Sequence, residues 1–351
     1  DDIIQHLVVA SNHATVLCFT NVGKVYRLKV FEVPQASRGA KGRPMVNLLP
    51  LDANETITAI LPLTEFLENH YVFMATASGT VKRVELEQFA NIRANGLRAI
   101  ELNEEDTLIG VAITDGNQQI MLFSNEGKAI RFNESKIRAM GRTAKGVRGM
   151  RVTLLANQGI EDEDVELEDD SQDDQDNDSV VAVSRVVSLV VAPQQGEILC
   201  ACERGFGKRT PVSGFPVKGR GGKGIIAIKT TARNGELVQA LAVTDADDIV
   251  LISDAGTLVR TPVGQIAQTG RNAQGVTLIR ISQDESLVSI ALVEGGSEDE
   301  LDEDSLEAAL ADNIAQDSAD LQDSLDLQDI ELSEALQQDG LLEADAQQLD
   351  D

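Results

Sequence analysis

The sequence has no tryptophan, and aromatic residues make up only 3% of its 351 residues. A chain of this length can bury one or two sizeable cores, so those cores must consist of valine, isoleucine, leucine and alanine. Cysteine is scarce as well, since Cys18, Cys200 and Cys202 are too few and too irregularly spaced for a disulfide framework. This usage favours a reducing, cytosolic compartment.

Two signals of a membrane or secreted protein are also missing. No apolar run is long enough to cross a bilayer. The N-terminus, DDIIQHLVVAS, has no basic region of the kind that begins a signal peptide. We therefore expect no membrane partner.

Positive charge is absent from two segments. Residues 161–178 contain 12 acidic and no basic residues, and residues 297–351 contain 20 acidic and no basic residues. Because the whole chain has a net charge of −28, the remainder carries a net charge of +4. Such asymmetry points to nucleic-acid or membrane partners. We expect 161–178 to be a solvated insert loop and 295–351 to be a disordered tail.

Long helical periodicity is missing before residue 294, and an internal repeat takes its place. The motif Gly-x-x-x-Arg occurs five times, and its turn glycines are Gly23, Gly79, Gly127, Gly205 and Gly256. A second glycine follows the first by 19 residues in four copies and by 17 in the other. Polar residues precede each first glycine, which is typical of a hairpin turn that needs a positive φ.

Each repeat contains four candidate strands, which in the fifth are Leu237–Val243, Ile249–Ile252, Thr257–Val263 and Val276–Ile281. Four short strands per ~40–50 residues predict an all-β, propeller-like or β-pinwheel array of blades. The predicted domain, 1–294, holds repeats at about 1–52, 53–105, 106–156, 179–232 and 233–284, then an orphan strand at 287–293. Since an orphan strand leaves an unpaired edge, we expect a piece before Asp1 to complete a sixth blade.

The second glycine of each repeat lies in a basic loop that runs into a strand, as in VKGRGGKGIIAIKT at Val217–Thr230. Lysine, arginine and exposed backbone N–H groups on glycine loops can approach phosphates closely. Five such loops at one phase of a ring would place positive charge along one rim; the alternative is ordinary solvated loop charge. The predicted DNA-backbone contacts are Arg38, Lys41, Arg43, Arg93, Arg98, Arg138, Arg142, Lys145, Arg148, Arg151, Lys218, Arg220, Lys223 and Arg271.

Other chemistry is disfavoured by context. Gly219–Gly224 matches the dinucleotide motif G-x-G-x-x-G, but a strand rather than a helix follows it. Cys200 and Cys202 lack the further ligands that a zinc site needs. We expect no catalytic residue, metal or cofactor in this chain. The motif arginines either reach the rim or pair with an acid between blades, and we favour the structural role.

Six segments closely resemble the C-terminal domain of the DNA gyrase A protein: residues 38–51, 57–66, 72–83, 147–152, 253–263 and 270–280. The resemblance implies a non-catalytic, six-bladed β-pinwheel with hairpins exchanged between neighbouring blades and DNA wrapped around a basic rim. It also implies that the chain is part of a bacterial, nucleoid-associated holoenzyme. That holoenzyme would be a type II DNA topoisomerase, which uses ATP hydrolysis to introduce negative supercoils into DNA. The partners would be double-stranded DNA, the rest of the gyrase A protein, and the gyrase B protein in a heterotetramer, with ATP and Mg bound elsewhere.

The sequence departs from that family in one respect. The family's Gln-Arg-Arg-Gly-Gly-Lys/Arg-Gly box is absent and would fall before Asp1, and Lys218–Gly224 resembles it in a later blade. Two alternatives stay open: the C-terminal domain of the corresponding topoisomerase IV protein, whose repeats are more degenerate, and a propeller that binds acidic partner proteins. The acidic tail is either a solubilising extension or an intramolecular competitor for the rim.

Overall fold

The computed structural model describes residues 10–36, 42–153, 183–282 and 284–293. All but three of these residues belong to one compact unit. The predicted insert loop and the predicted tail lie outside the described residues.

The described residues form strands and short 3-10 turns and contain no α-helix. The strands are β1 Thr15–Thr20, β2 Lys24–Lys29, β3 Ile57–Leu63, β4 Tyr71–Thr76, β5 Thr80–Glu85, β6 Leu97–Arg98, β7 Leu108–Thr114, β8 Gln119–Ser124, β9 Lys128–Asn133, β10 Val147–Arg148, β11 Val186–Ala192, β12 Glu197–Cys202, β13 Phe206–Pro211, β14 Ile225–Ile226, β15 Leu237–Val243, β16 Asp248–Ser253, β17 Leu258–Pro262, β18 Val276–Thr277 and β19 Leu287–Val293. The 3-10 turns are Val30–Glu32, Met45–Asn47, Leu86–Phe89, Glu134–Lys136, Val212–Gly214 and Val263–Gln265. The predicted all-β array of blades is confirmed.

A blade does not coincide with a sequence repeat. Each blade is built on the hairpin of one repeat, and the next repeat supplies the strands on both sides of it. The four complete sheets have the orders β3-β1-β2-β6, β10-β5-β4-β7, β11-β8-β9-β14 and β15-β12-β13-β18. The first sheet therefore joins β1 and β2 from the first repeat to β3 and β6 from the second. Neighbouring blades therefore exchange strands, as the resemblance implies.

Two further strand predictions are corrected by the pairing. Leu287–Val293 is not an orphan, because β19 pairs with β16 from Asp248↔Val293 to Ser253↔Leu287. The fourth strand of the fifth repeat is only Val276–Thr277, and it pairs with β13 of the fourth repeat. The sheet β17-β16-β19 has three strands in the part of the chain that the structure describes.

The central strands are apolar on both faces because a neighbouring sheet packs on each face. In β4, Val72 and Met74 pack against Leu17 of β1, whereas Phe73 packs in a second cluster with Leu122 of β8. The remaining blades stack in the same order. Strands β3, β7, β11, β15 and β19 contact one another in sequence, as the inner strands of a propeller do. Burial on both faces explains why the central strands, such as β1, β4, β8 and β12, have continuous apolar sequences.

Candidate nucleic-acid interface

The turn glycines are docking points for the next repeat. Gly79 has a φ of +84°, and its carbonyl oxygen accepts hydrogen bonds from the N–H groups of Gly149, at 2.8 Å, and Met150, at 3.1 Å. Gly23, Gly127 and Gly205 bind two consecutive N–H groups of the next repeat in the same way. Each hairpin turn thereby binds the backbone segment at the C-terminal end of the next repeat's basic loop.

The loop glycines lie directly on the neighbouring hairpin. Gly146 and Gly224 have φ values of +105° and +81°. A Cβ atom at these positions would lie 2.5 Å from the carbonyl oxygen of Val81 and 2.7 Å from that of Ala129. Only glycine allows this approach at a positive φ. Because of this close approach, the two residues after each glycine form a short strand with the second strand of the neighbouring hairpin. Strand β10 pairs in this way with β5, and β14 with β9.

Backbone hydrogen bonds join successive loops. The N–H groups of Glu101, Arg151 and Lys229 donate to the carbonyl oxygens of Ala144, Gly222 and Ala273, at 3.4, 2.9 and 3.2 Å. The three bonds occupy equivalent positions in the second and third, third and fourth, and fourth and fifth loops. We call the resulting continuous surface the loop rim, which comprises residues 92–101, 140–151, 217–229 and 269–278.

Two predicted arginines strengthen this connection with their side chains. Arg220 Nη1 donates to the carbonyl oxygen of Arg148 at 2.9 Å, and Arg271 Nη1 donates to that of Ile226 at 3.1 Å. Both arginines are half-buried. Each bond uses one of the five N–H donors of a guanidinium group. These side chains can therefore bridge two loops and still contact an anion.

The other predicted contacts differ in exposure. Those that are exposed are Arg43, Arg93, Arg98, Arg138, Lys145, Lys218 and Lys223. Those that are half-buried, besides Arg220 and Arg271, are Arg142, Arg148 and Arg151. Arg38 and Lys41 lie outside the described residues. The structure thus brings together the predicted contacts of the second to fifth loops except Arg138, which, like Arg43 of the first loop, lies outside the loop rim. Exposed Lys229 also lies on the loop rim, although sequence reasoning missed it.

The motif arginines point between blades. Arg131 Nη1 donates to the carbonyl oxygens of Val212 and Phe215 at 2.7 and 2.9 Å, around a 3-10 turn of the next repeat. Arg27 and Arg209 make equivalent bonds, to Ala90 and to Ile266. These arginines therefore lie between blades, as favoured from the sequence, but they bind backbone carbonyl oxygens there, and of the three only Arg209 also pairs with a described acid of the next repeat, Asp245.

Arg83 and Arg260 depart from this pattern in different ways. Arg83 stacks 4.3 Å from the centre of the Tyr71 ring and lies 3.6 Å from Glu134 of the next repeat's turn. Arg260 is 49% exposed and pairs with Asp248 of its own hairpin. In this last hairpin the motif arginine therefore contacts no described residue of a following repeat.

Two buried lysines, Lys82 and Lys208, bind the backbone of the loop rim from the protein interior, and the sequence did not predict this role. Lys82 Nζ donates to the carbonyl oxygens of Ala99, at 2.9 Å, and Arg142, at 2.5 Å. Lys208 Nζ donates to those of Gly270, at 2.5 Å, and Arg271, at 2.7 Å. Burial lowers the pKa of each lysine from 10.5 to about 8. The only signal in the sequence is a lysine in an otherwise apolar strand position.

The three cysteines are buried free thiols. Burial raises the pKa of Cys18 to about 11 and those of Cys200 and Cys202 to about 12, so all three are protonated near neutral pH. Within the described ranges, no three His, Cys, Asp or Glu residues are grouped as metal ligands would be. None of the helices described there is long and apolar enough to span a membrane.

The chain matches one protein family, described as "DNA gyrase C-terminal domain, beta-propeller". The matches cover residues 14–64, 70–115, 118–164, 196–245 and 247–294. These segments follow the five-fold repeat and include the whole loop rim.

Two similar proteins are DNA gyrase A subunits. The subunit of Haemophilus influenzae is 49% identical over 308 residues, which are 88% of this chain and 35% of that protein. That of Escherichia coli K12 is 47% identical over 324 residues, which are 92% of this chain and 34% of that protein. The chain thus spans about a third of the length of these relatives.

Two solved structures share the fold. A DNA gyrase A C-terminal domain aligns with a TM-score of 0.64 and 24% identity, over 81% of this chain and 83% of that one. A DNA topoisomerase IV C-terminal domain aligns with a TM-score of 0.66 and 25% identity, over 81% of this chain and 80% of that one. The two structures are thus about equally similar in fold, whereas the sequence relatives are gyrase subunits.

Proposed function

The chain belongs to the family of DNA gyrase A C-terminal domains, and from this premise we propose that it binds double-stranded DNA and wraps it around the loop rim. Contacts to phosphates would supply the affinity, and the ease of bending DNA would supply what sequence preference exists. No base readout is required. The domain itself would perform no catalysis.

The observation that carries the proposal is the charge of a continuous surface. The loop rim contains eleven basic residues and one acidic residue, Glu101, in a chain whose net charge is −28. Hydrogen bonds join its four loops into one surface, which suits a ligand that runs past several blades. A phosphate backbone, with a charge at every ~1.7 Å of helix axis, has this extended form.

The wider role is also part of the proposal. The partners would be the rest of the gyrase A protein and the gyrase B protein, in a heterotetramer that supercoils DNA negatively in the bacterial cytoplasm. ATP and Mg would be bound elsewhere in that assembly and no cofactor in this chain. The relatives' higher identity favours this role over one in topoisomerase IV.

The test is a titration of duplex DNA against a triple charge reversal on the rim. Lys145, Lys218 and Lys223 are exposed, so their replacement by Glu should leave the fold intact. We expect at least about a tenfold loss of affinity and a slope of log K against log salt that is less steep by about 2–3. A duplex of ~150 bp should bind more tightly than one of ~20 bp, which is too short to wrap.

A matched control reverses three exposed basic residues outside the rim, Lys136, Arg204 and Arg233. Equal losses in both variants would mean that overall charge, rather than the rim, governs binding. Affinity that is insensitive to salt, or equal for polyglutamate and DNA, would instead favour the propeller that binds acidic proteins.

A further inference from the structure

Lys82 and Lys208 occupy the same place in two different repeats. Each precedes the motif arginine, on β5 and β13, and each is fully buried, with a relative exposure of 0%. Burial of an ammonium group is costly unless its donors are satisfied. Each of these two groups donates to two backbone carbonyl oxygens, as described above. Such an arrangement needs a reason beyond core packing, because an apolar side chain would fill the space at lower cost.

Their partners are the backbones of rim arginines. Lys82 binds the carbonyl oxygen of Arg142 in the third loop, and Lys208 binds those of Gly270 and Arg271 in the fifth. Arg142 and Arg271 themselves occupy equivalent loop positions, each directly after the glycine that opens its loop. Hydrogen bonds from a charged donor are shorter and about twice as strong as neutral ones. Each lysine therefore fixes the backbone from which a predicted DNA contact projects.

The surroundings of both lysines are cationic on the rim side. Arg142 lies close enough to Lys82 to lower its pKa, and Glu101 opposes this effect. Burial is the main cause that lowers the pKa of Lys208, and Arg271 lowers it further. A second cation placed under each loop arginine adds to the positive potential of the rim without contacting solvent.

We propose that Lys82 and Lys208 are positioning residues for DNA binding, which hold the third and fifth loops so that Arg142 and Arg271 are presented along the loop rim. The inference rests on the proposed function and assigns a role to two residues that do not touch the ligand. The fourth loop shows the contrast. Its equivalent residue is Ile130, so no described lysine of the hairpin binds the backbone at Arg220. The Arg220 side chain nevertheless binds the carbonyl oxygen of Arg148, as that of Arg271 binds Ile226.

The test is a pair of double-mutant cycles in the full chain, with a linear duplex of ~150 bp as the probe. Lys82→Met is combined with Arg142→Ala, and Lys208→Met with Arg271→Ala. Each lysine variant should weaken DNA binding about 3- to 10-fold in the wild-type background and have little effect once its arginine is removed. Ile130→Met serves as the matched control and should leave affinity unchanged.

The cycle separates positioning from general destabilisation. If a lysine variant only weakens the fold, its effect persists in the arginine-to-alanine background, and the inference is overturned. An unchanged affinity in both lysine variants overturns it as well. If the wild type does not bind DNA, the proposed function fails; if the arginine variants bind less tightly but the lysine variants do not, only this inference fails.

Urea unfolding of every variant accompanies the binding measurements. If Lys82→Met does not fold, Lys82→Gln replaces it, because an amide keeps two N–H donors for the same carbonyl oxygens without the charge. The Lys208 cycle stands independently of the Lys82 cycle, so each repeat decides the question by itself.

Discussion

At the scale of single residues, one sequence motif has different uses according to its neighbours. Arg131 binds two carbonyl oxygens of the next repeat, whereas Arg260, in the last described hairpin, pairs only with Asp248 beside it. The residue before the arginine is a lysine in two repeats and Ile130 or Val259 in others. What each side chain does is therefore decided by the loop that packs on it.

Replacing these two arginines by methionine should have unequal effects. Arg131→Met leaves two carbonyl oxygens without their donor, so we expect it to lower the free energy of unfolding by about 2–4 kcal/mol. Arg260→Met removes an exposed ion pair and should cost less than about 1 kcal/mol. Urea denaturation of both variants measures the difference. Similar losses would refute the assignment of Arg131 to the junction between blades.

The pKa values of Lys82 and Lys208 predict a dependence of stability on pH. Both are about 8 in the folded chain, against an ordinary value of 10.5. Between these values the unfolded chain holds protons that the folded chain has released, so the free energy of unfolding rises with pH, by up to about 1.4 kcal/mol per pH unit per lysine. Relative to a Lys82→Met, Lys208→Met double variant, the wild type should gain stability from pH 8 to 10. Parallel curves for the two proteins would contradict the prediction.

At the scale of elements, the unit of assembly is a hairpin held between two strands of the next repeat. The turn glycine is the point of contact, since two amides of the following repeat converge on its carbonyl oxygen. A Cβ atom added to Gly127 would lie 2.2 Å from the carbonyl oxygen of Ile228. At Gly256, whose φ is +84°, an added Cβ atom would meet nothing within 4 Å among the described residues.

This contrast makes Gly127→Ala and Gly256→Ala a matched pair. Both substitutions place a side chain at positive φ, which by itself costs about 1 kcal/mol. Gly127→Ala must also displace the next repeat, so we expect a total loss of about 3 kcal/mol or more. Thermal and urea unfolding measure both. Equal losses would mean that the neighbouring backbone moves aside without cost.

At the scale of the whole molecule, opposite charges are segregated along the chain. The loop rim is strongly basic, while residues 297–351 carry 20 acidic and no basic residues. The tail lies outside the described residues. Its composition predicts that it competes with DNA for the loop rim, with a strength that salt would reduce.

Truncation after Gly296 tests this competition. We expect the truncated chain to bind duplex DNA more tightly than the full chain, with the largest gain at low salt. A full-length variant with the tail's acidic residues changed to their amides should behave like the truncated chain. An unchanged affinity would identify the tail as a solubilising extension only.

The sequence by itself determined the class of fold, the number of repeats and the position of the basic loops. These depend on local patterns: apolar runs of strand length, turn glycines and the constant spacing of 19 residues in four repeats. It also marked most of the rim, because Lys145, Lys218 and Lys223 belong to a motif that recurs. Their contacts with DNA stay predictions.

The resemblance implied exchange between blades, but only the tertiary structure decided which strands pair. Exchange of strands pairs β19 with β16 and the two-residue strand β18 with β13, across repeats, and the order of residues carries no such information. For the same reason the sequence does not reveal the role of Lys82 and Lys208, since three of their four carbonyl partners lie about 60 residues away in the next repeat. Periodicity predicts which residues form strands, but the pairing of distant segments decides which hydrogen-bond partners each buried charged side chain finds.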